Sequence, residues 1–398
     1  MTVTGPLAKA QLLETALLNF CNYPTLVATK AARIVQVAGD SPVLEFGMRR
    51  GPASGVSEAV RAALIGGCAS TSDVQAAVAA GRDPKGTHAH SMVQAYLALG
   101  RGELGAFRAF AREYPDECIL LVDTVDTLGS GVPNAIEVFR ELAEAGHRPV
   151  GIRLDSGDLA HLAVAAAKML SEAGFDDVRI VLSGDLDELT IWQVLTQIDE
   201  EAASLGVDPQ GLRARLVYGV GTRLITSQGD SSLGGVYKLT ALMGDDDSWV
   251  PAVKLSETRA KIPIVGPKDC YRLYDTAGTA VMDLLMLPGE QPFAPLDPGT
   301  GADPDTMTVH HPVEDGVSRT VRRGEFSHWE LLVRPEISEG VRVGEPATLD
   351  DASRRRARDV ECLDPGVRRL VNPHVHHVSL STALLERQRE TIASLRRC

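Results

Sequence analysis

The sequence predicts an α/β protein whose short parallel strands are joined by crossover helices, and three observations predict it. Short apolar runs recur through the middle of the chain, each followed by a stretch of helical periodicity that a glycine closes. Polar or turn residues stand where the runs end, at 123, 155, 185 and 219, at intervals of 32, 30 and 34 residues. The runs are continuously apolar instead of alternating, as strands covered on both faces are. Strand–helix units of about 30 residues imply parallel strands with crossover helices. Polar residues at successive strand ends suit the active face of a βα barrel. An open doubly wound sheet satisfies the same periodicity.

Taken in order, the chain opens with a helix-like apolar run, Ala8–Phe20, and the next apolar run is Pro42–Phe46. Cys118–Val122 leads to Asp123, and Pro133–Ala145 follows with Ile136, Phe139 and Leu142 at helical spacing before Gly146. Val150–Leu154 ends at Asp155, and the helical stretch Leu159–Ala173 closes at Gly174. Val178–Leu182 runs into Ser183-Gly184-Asp185, Leu189–Leu205 closes at Gly206, and Leu216–Tyr218 ends in Gly219-Val220-Gly221. Residues 288–305 hold five prolines, three glycines and four acids, which leaves little to bury and predicts a linker. Beyond it come a basic stretch at Arg319–Arg323, a helical pattern at Ala352–Glu361 and a last helix-like segment, Ser381–Arg397.

Composition narrows the function. The 398 residues are 44% hydrophobic and 23% charged, which is ordinary globular usage. A net charge of −13 and 5% aromatics make nucleic acid a poor partner. The apolar runs are too short to span a bilayer. Six cysteines without a CxxC pair offer no zinc or redox motif, so reduced thiols in a cytoplasm are the expectation.

Several strand ends carry chemistry. Arg153-Leu154-Asp155-Ser156-Gly157-Asp158 reads as a strand end with Ser156 or Asp158 capping a helix. It reads equally as an arginine for a carboxylate or phosphate beside an aspartate for sugar hydroxyls. Asp123 and Asp185 add carboxylates to the same face, and Gly219-Val220-Gly221-Thr222 is either a plain turn or a backbone cradle for phosphate. On the functional readings, phosphate at this turn and diol-binding acids on the neighbouring strands would together describe a ribose 5-phosphate site. Phe46 beside Arg49 and Arg50 could sandwich a flat anionic ring, or be a core phenylalanine next to surface arginines. In Gly86-Thr87-His88-Ala89-His90-Ser91 two histidines stand at i, i+2, where a strand would give them one face, yet no third metal ligand is evident. His374, His376 and His377 read as a solvated loop or strand end.

These segments together resemble the nicotinate phosphoribosyltransferases, a type II phosphoribosyltransferase family. The resemblance runs through Ala10–Asn22, TKAAR (29–33), LEFGMRR (44–50), GTHAHS (86–91), LVDTVDT (121–127), IRLDSGD (152–158) and SGDLDE (183–188). It continues through YGVGT (218–222), GGVYKL (234–239), KLSETRAKIPIVGPK (254–268) and NPHVHHVSLS (372–381). It implies an irregular βα barrel over residues 21–255, with a smaller α/β domain formed by residues 1–20 and 256–398 around the linker 288–305. It also implies the union of nicotinate with 5-phosphoribosyl 1-diphosphate to give nicotinate mononucleotide and diphosphate. ATP is then the co-substrate and Mg²⁺ the assisting ion, its ligands unassigned, with no organic prosthetic group and no nucleic acid or membrane partner.

By resemblance Phe46 stacks on the pyridine ring with Arg49 beside it, and Arg153 neutralises the carboxylate or a phosphate. Asp155 and Asp185 hold the ribose hydroxyls, and Gly219, Gly221 and Thr222 take the 5-phosphate. His90 matches the histidine that ATP phosphorylates, and His88 fills a position the family varies. Asp123 is expected to orient His90 or touch Mg²⁺. Ser72, where nicotinamide-specific relatives place an aspartate, implies preference for the acid. The family works as a homodimer, and it carries a tyrosine-bearing N-terminal element that this sequence lacks. The expectation is therefore an incomplete smaller domain, and the alternative readings are a catalytically impaired fragment or regulatory homologue, or a nicotinamide-specific phosphoribosyltransferase.

Overall fold

The computed structural model describes residues 1–52, 55–257, 261–294, 303 and 305–397. They form two compact units, Phe20–Gly234 with Thr348–Arg356, and Met1–Asn19 with Gly235–Ala347 and Ala357–Cys398. No helix of the described residues is long and apolar enough to cross a membrane.

The first unit is an irregular βα barrel. Its strands are β1 (Val43–Glu45), β2 (Ser70–Thr71), β3 (Ile119–Leu121), β4 (Gly151–Leu154), β5 (Arg179–Ser183) and β6 (Leu216–Val220). All pair in parallel, in the order β2-β1-β6-β5-β4-β3. This is the cyclic order of a barrel, with no ladder between β2 and β3 among the described residues. The segment before His90 spans that seam instead. Lys85 donates its backbone N–H to the Thr71 carbonyl (2.9 Å), and His88 Nε2 accepts the Leu121 N–H (3.0 Å).

The helices are α1 (Leu7–Ala38), whose second half belongs here, α2 (Val56–Ile65), α3 (Val74–Ala79), α4 (His90–Ala98) and α5 (Gly102–Glu113). Then come α6 (Val132–Glu144), α7 (Leu159–Glu172), α8 (Glu188–Glu201), α9 (Pro209–Arg215) and α10 (Thr222–Ile225). Their apolar stripes meet the strands in one core. Ile136, Phe139 and Leu142 of α6 and Leu170 of α7 are buried with Leu120, Ile152, Leu154, Ile180 and Leu182 of the strands. Helix α1 runs well past Phe20, through Pro24. An interior proline costs about 3 kcal/mol, and the buried stripe Val27, Ala31, Ile34 and Ala38 offsets it.

The second unit is built on a mixed sheet. After the hairpin β7 (Ala241–Met243) and β8 (Trp249–Pro251) come β9 (Asp269–Asp275), β10 (Ala280–Met286), β11 (Thr306–His310), β12 (Ser318–Arg322) and β13 (Phe326–Leu331). A small hairpin, β14 (Ile337–Ser338) and β15 (Val341–Arg342), precedes α11 (Leu349–Glu361), whose residues up to Arg356 belong to the first unit, and then come β16 (His377–Ser381) and α12 (Thr382–Leu395). The sheet order is β12-β11-β16-β10-β9-β13, with β10 and β16 parallel and the other pairs antiparallel. Strand β10 alternates, burying Ala280, Met282, Leu284 and Met286. Phe293 packs beside Phe326 and Trp329, and Glu290 is buried against Ser381. So Glu290, Pro292 and Phe293 of the predicted linker are buried while Pro288, Gly289, Gln291 and Ala294 are exposed, and 295–302 and 304 lie outside the described residues.

Candidate active site

In a parallel sheet every strand delivers its C-terminal end to the same edge. The registers pair Leu121 with Arg153, Leu154 with Leu182, Ser183 with Gly219, and Glu45 with both Val220 and Thr71. The edge is therefore lined in turn by Asp123, Asp155, Ser183 to Asp185, Gly221, Phe46 and Ser72.

Arg153 ties these ends together. It donates from Nε to Ser183 Oγ (2.8 Å), from Nη1 to Thr87 Oγ1 (2.9 Å) and from Nη2 to Asp155 Oδ1 (2.7 Å). Its guanidinium lies over the Phe46 ring, 5.3 Å from the centroid. That ring lies against Gly219, where a Cβ would come within 2.5 Å of it, so only glycine lets the aromatic side chain cross strand β6. Burial acts to raise the Asp155 carboxyl, but the Ser183 hydroxyl and the Arg153 charge outweigh it and hold the group below the usual carboxylate range. Gly184, at φ +99°, sits so close to the Asp155 carbonyl that a side chain would have no room.

His90 opens α4 and does not sit on a strand, so the two histidines of GTHAHS do not share a face. His88 turns inward to the Leu121 N–H, and His90 Nε2 lies 3.1 Å from Asp123 Oδ1. Asp123 is almost wholly covered, at 1% side-chain exposure against 37% for His90. Its Oδ2 accepts the Asp155 N–H (3.0 Å) and the Ser156 hydroxyl (2.6 Å). Asp158, not Ser156, caps α7.

The structure thus joins His90, Asp123, Asp155, Arg153, Phe46 and Gly219 into one connected set. Gly221 packs on the Phe46 carbonyl, and Thr222 begins α10. Asp185 is exposed with φ +48°, Ser72 and Arg49 are exposed, and the side-chain bonds that link the set do not include these three. Sequence reading missed Glu45, Thr87 and Ser183 as site residues. Glu45 is wholly buried, and burial pushes its carboxyl up while the Thr71 hydroxyl and the Gly47 N–H hold it in place. The signal available was an acid inside an apolar run. Among the described residues no group of three His, Cys, Asp or Glu could hold a metal ion. His376 lies 3.3 Å from Asp283 in the second unit.

This arrangement offers a cation over an aromatic ring, a fixed carboxylate, backbone turns and a half-exposed imidazole, which suits a flat anionic ring and a phosphorylated sugar. Comparison with known proteins agrees. Residues 42–254 match the model of the nicotinate phosphoribosyltransferase (NAPRTase) family, and residues 267–388 that of the nicotinate phosphoribosyltransferase C-terminal domain. The nicotinate phosphoribosyltransferase of Bacillus subtilis (strain 168) is 39% identical over 383 residues, 96% of this chain and 71% of that protein. The Homo sapiens protein of that name is 33% identical over 437 residues, 96% of this chain and 75% of its own. The crystal structure of human nicotinic acid phosphoribosyltransferase superposes with a TM-score of 0.75 at 28% identity, over 97% of this chain and 78% of that one. A nicotinate-nucleotide pyrophosphorylase from Pyrococcus furiosus shares the fold, with a TM-score of 0.56 at 20% identity, over 87% of this chain and 72% of its own.

Proposed function

The chain belongs to the nicotinate phosphoribosyltransferase family, and on that footing we propose how its own residues carry the union of nicotinate with 5-phosphoribosyl 1-diphosphate. Nicotinate lies flat against Phe46, its carboxylate neutralised by Arg153 with Arg49 and Ser72 at the rim. Asp155 and Asp185 accept the ribose hydroxyls, and the Gly219-to-Thr222 turn receives the 5-phosphate. The pyridine nitrogen attacks C1 of the sugar as the bond from C1 to the diphosphate oxygen breaks, leaving nicotinate mononucleotide and diphosphate. No protein nucleophile is required, so positioning and charge stabilisation do the work. The observation that carries this reading is Arg153 held over Phe46 by three side-chain partners at once.

ATP is the co-substrate, and its γ-phosphoryl passes to His90. The bond from Asp123 to the imidazole supports that role. The described residues supply no cage for Mg²⁺, which fits an ion that keeps its waters and arrives on substrate phosphates. When bound it offsets the charge of the leaving diphosphate. The active species is a homodimer. Large apolar side chains left open to water support this, including Leu12 (82% exposed), Phe20 (67%) and Val236 (73%). The protein works in the cytoplasm, where its five described cysteines, all free thiols, stay reduced.

The test is formation of mononucleotide from nicotinate or nicotinamide with and without ATP, in the parent and in His90→Ala. Nicotinate is expected to be the better base. His90→Ala is expected to lose ATP hydrolysis and the stimulation by ATP while keeping a slow ATP-independent transfer. Label from γ-labelled ATP surviving in His90→Ala would refute the role of His90. A parent inactive toward both bases would favour a regulatory homologue.

A further inference from the structure

His88 fills a position that the family resemblance leaves variable, yet its geometry is that of a keystone in the barrel seam. In a parallel ladder alternate residues address the same neighbour. Val122 donates its N–H to the Arg153 carbonyl of β4 (3.1 Å), so the preceding N–H, that of Leu121, points to the free edge of β3. With no strand there, this buried donor would be left unsatisfied. His88 Nε2 receives it at 3.0 Å. The imidazole is buried between Phe107 and Phe110, with ring centroids 5.8 and 5.0 Å away, and its Nδ1 faces the Ala89 carbonyl at 3.4 Å.

We infer that His88 is a positioning residue, substituting one acceptor for the missing strand and thereby fixing Thr87 under Arg153 and His90 against Asp123. Thr87 donates its hydroxyl to the His88 carbonyl (3.0 Å) and accepts Arg153 Nη1 (2.9 Å), so the backbone that His88 anchors sets where one arm of the guanidinium rests. Two residues on, His90 begins α4 at the point where Asp123 can reach it. Nε2 accepts only while unprotonated. Burial favours that state by pushing the imidazole below its ordinary range, and the nearby Arg153 charge acts the same way against the opposing pull of the Ala89 carbonyl at Nδ1.

This inference rests on the reading of Arg153 as the base-binding group, and its test separates the two. His88→Phe keeps a ring between Phe107 and Phe110 but offers no acceptor, whereas His88→Gln places an amide oxygen near the Nε2 position. In His88→Phe the KM for nicotinate is expected to rise about tenfold, the scale of one buried hydrogen bond, and in His88→Gln to return to within about threefold of the parent. A partly unfolded preparation lowers the active-enzyme count and leaves KM unchanged, so the shift in KM reports position. Hydrogen exchange at the Leu121 amide is read in parallel, and it is expected to quicken about tenfold in His88→Phe and not in His88→Gln. Parental KM and parental exchange in His88→Phe would overturn the inference, as would a His88→Gln protein no better than His88→Phe. If the parent makes no mononucleotide the functional reading falls, and exchange at Leu121 still decides what His88 does.

Discussion

A guanidinium carries five N–H donors in one plane, and Arg153 directs all three of its nitrogens to partners drawn from three separate stretches of chain. Its aspartate partner was legible because Asp155 follows an apolar run by one residue. Thr87 and Ser183 were not, since a hydroxyl takes its meaning from whatever folds beside it, here residues 66 and 30 positions away. Ser72 belongs to the same scale. Its N–H is pinned to the Glu45 carbonyl (2.9 Å) while its side chain is exposed at the sheet edge. An aspartate there would repel a carboxylate and accept a hydrogen bond from an amide. Ser72→Asp is expected to shift preference from nicotinate toward nicotinamide by on the order of 1–3 kcal/mol. Equal ratios of kcat/KM for the two bases in parent and variant would remove Ser72 from the specificity of the site.

Elements are placed by charge as well as by apolar stripes. Lys30 of α1 is buried, with Nζ 2.8 Å from Glu188 Oε2 and donating to the Gln228 carbonyl at 2.8 Å. Arg33 meets Glu188 at 3.0 Å, and Arg223 meets Asp187 at 3.3 Å. Asp187 also caps α8, so one network pins the helix that follows the Asp185 turn to α1 and α10. Removing one partner of a buried set strands the others. Lys30→Met is expected to cost about 3 kcal/mol, read as a lower urea midpoint at unchanged slope. Residues TKAAR suggested nothing of this by spacing, because the acids they meet lie more than 150 positions on. Helix α1 continues past the apolar run Ala8–Phe20 and through Pro24 for a related reason: local propensity yields to packing, by Tyr23 and from Val27 onward.

Across the molecule, the regular strand–helix rhythm made the barrel readable and left the second unit dim. Its strand β12 buries Val321 and exposes the rest, so it read as a basic stretch, although it is the outer strand of a sheet whose unpaired side carries charge. Inside that sheet Arg272 grips Asp283 through both oxygens, at 2.8 and 2.9 Å. Burial acts to raise the Asp283 carboxyl, but the bonds from Arg272 and the nearby His376 bring it down to about 2. A depressed folded-state value means stability that is complete above the unfolded carboxylate range and lost as pH falls through the folded value. Asp283 is therefore expected to contribute about 2 kcal/mol at neutral pH. The stability gap between parent and Asp283→Asn, followed by denaturant titration, is expected to shrink between about pH 5 and about pH 2. A constant gap would assign the bond no linkage to pH.

The bond between Asp123 and His90 has a regiochemical consequence. An ionised carboxylate can only accept, so the imidazole nitrogen facing it, Nε2, is the one that bears hydrogen. The lone pair is then left on Nδ1, the nitrogen at which the proposed transfer from ATP would take place. The two regioisomers of phosphohistidine differ in hydrolysis rate and in their phosphorus resonance. The labelled protein is expected to carry the Nδ1 isomer, and Asp123→Ala, which frees the ring to hold its hydrogen on either side, is expected to yield a mixture.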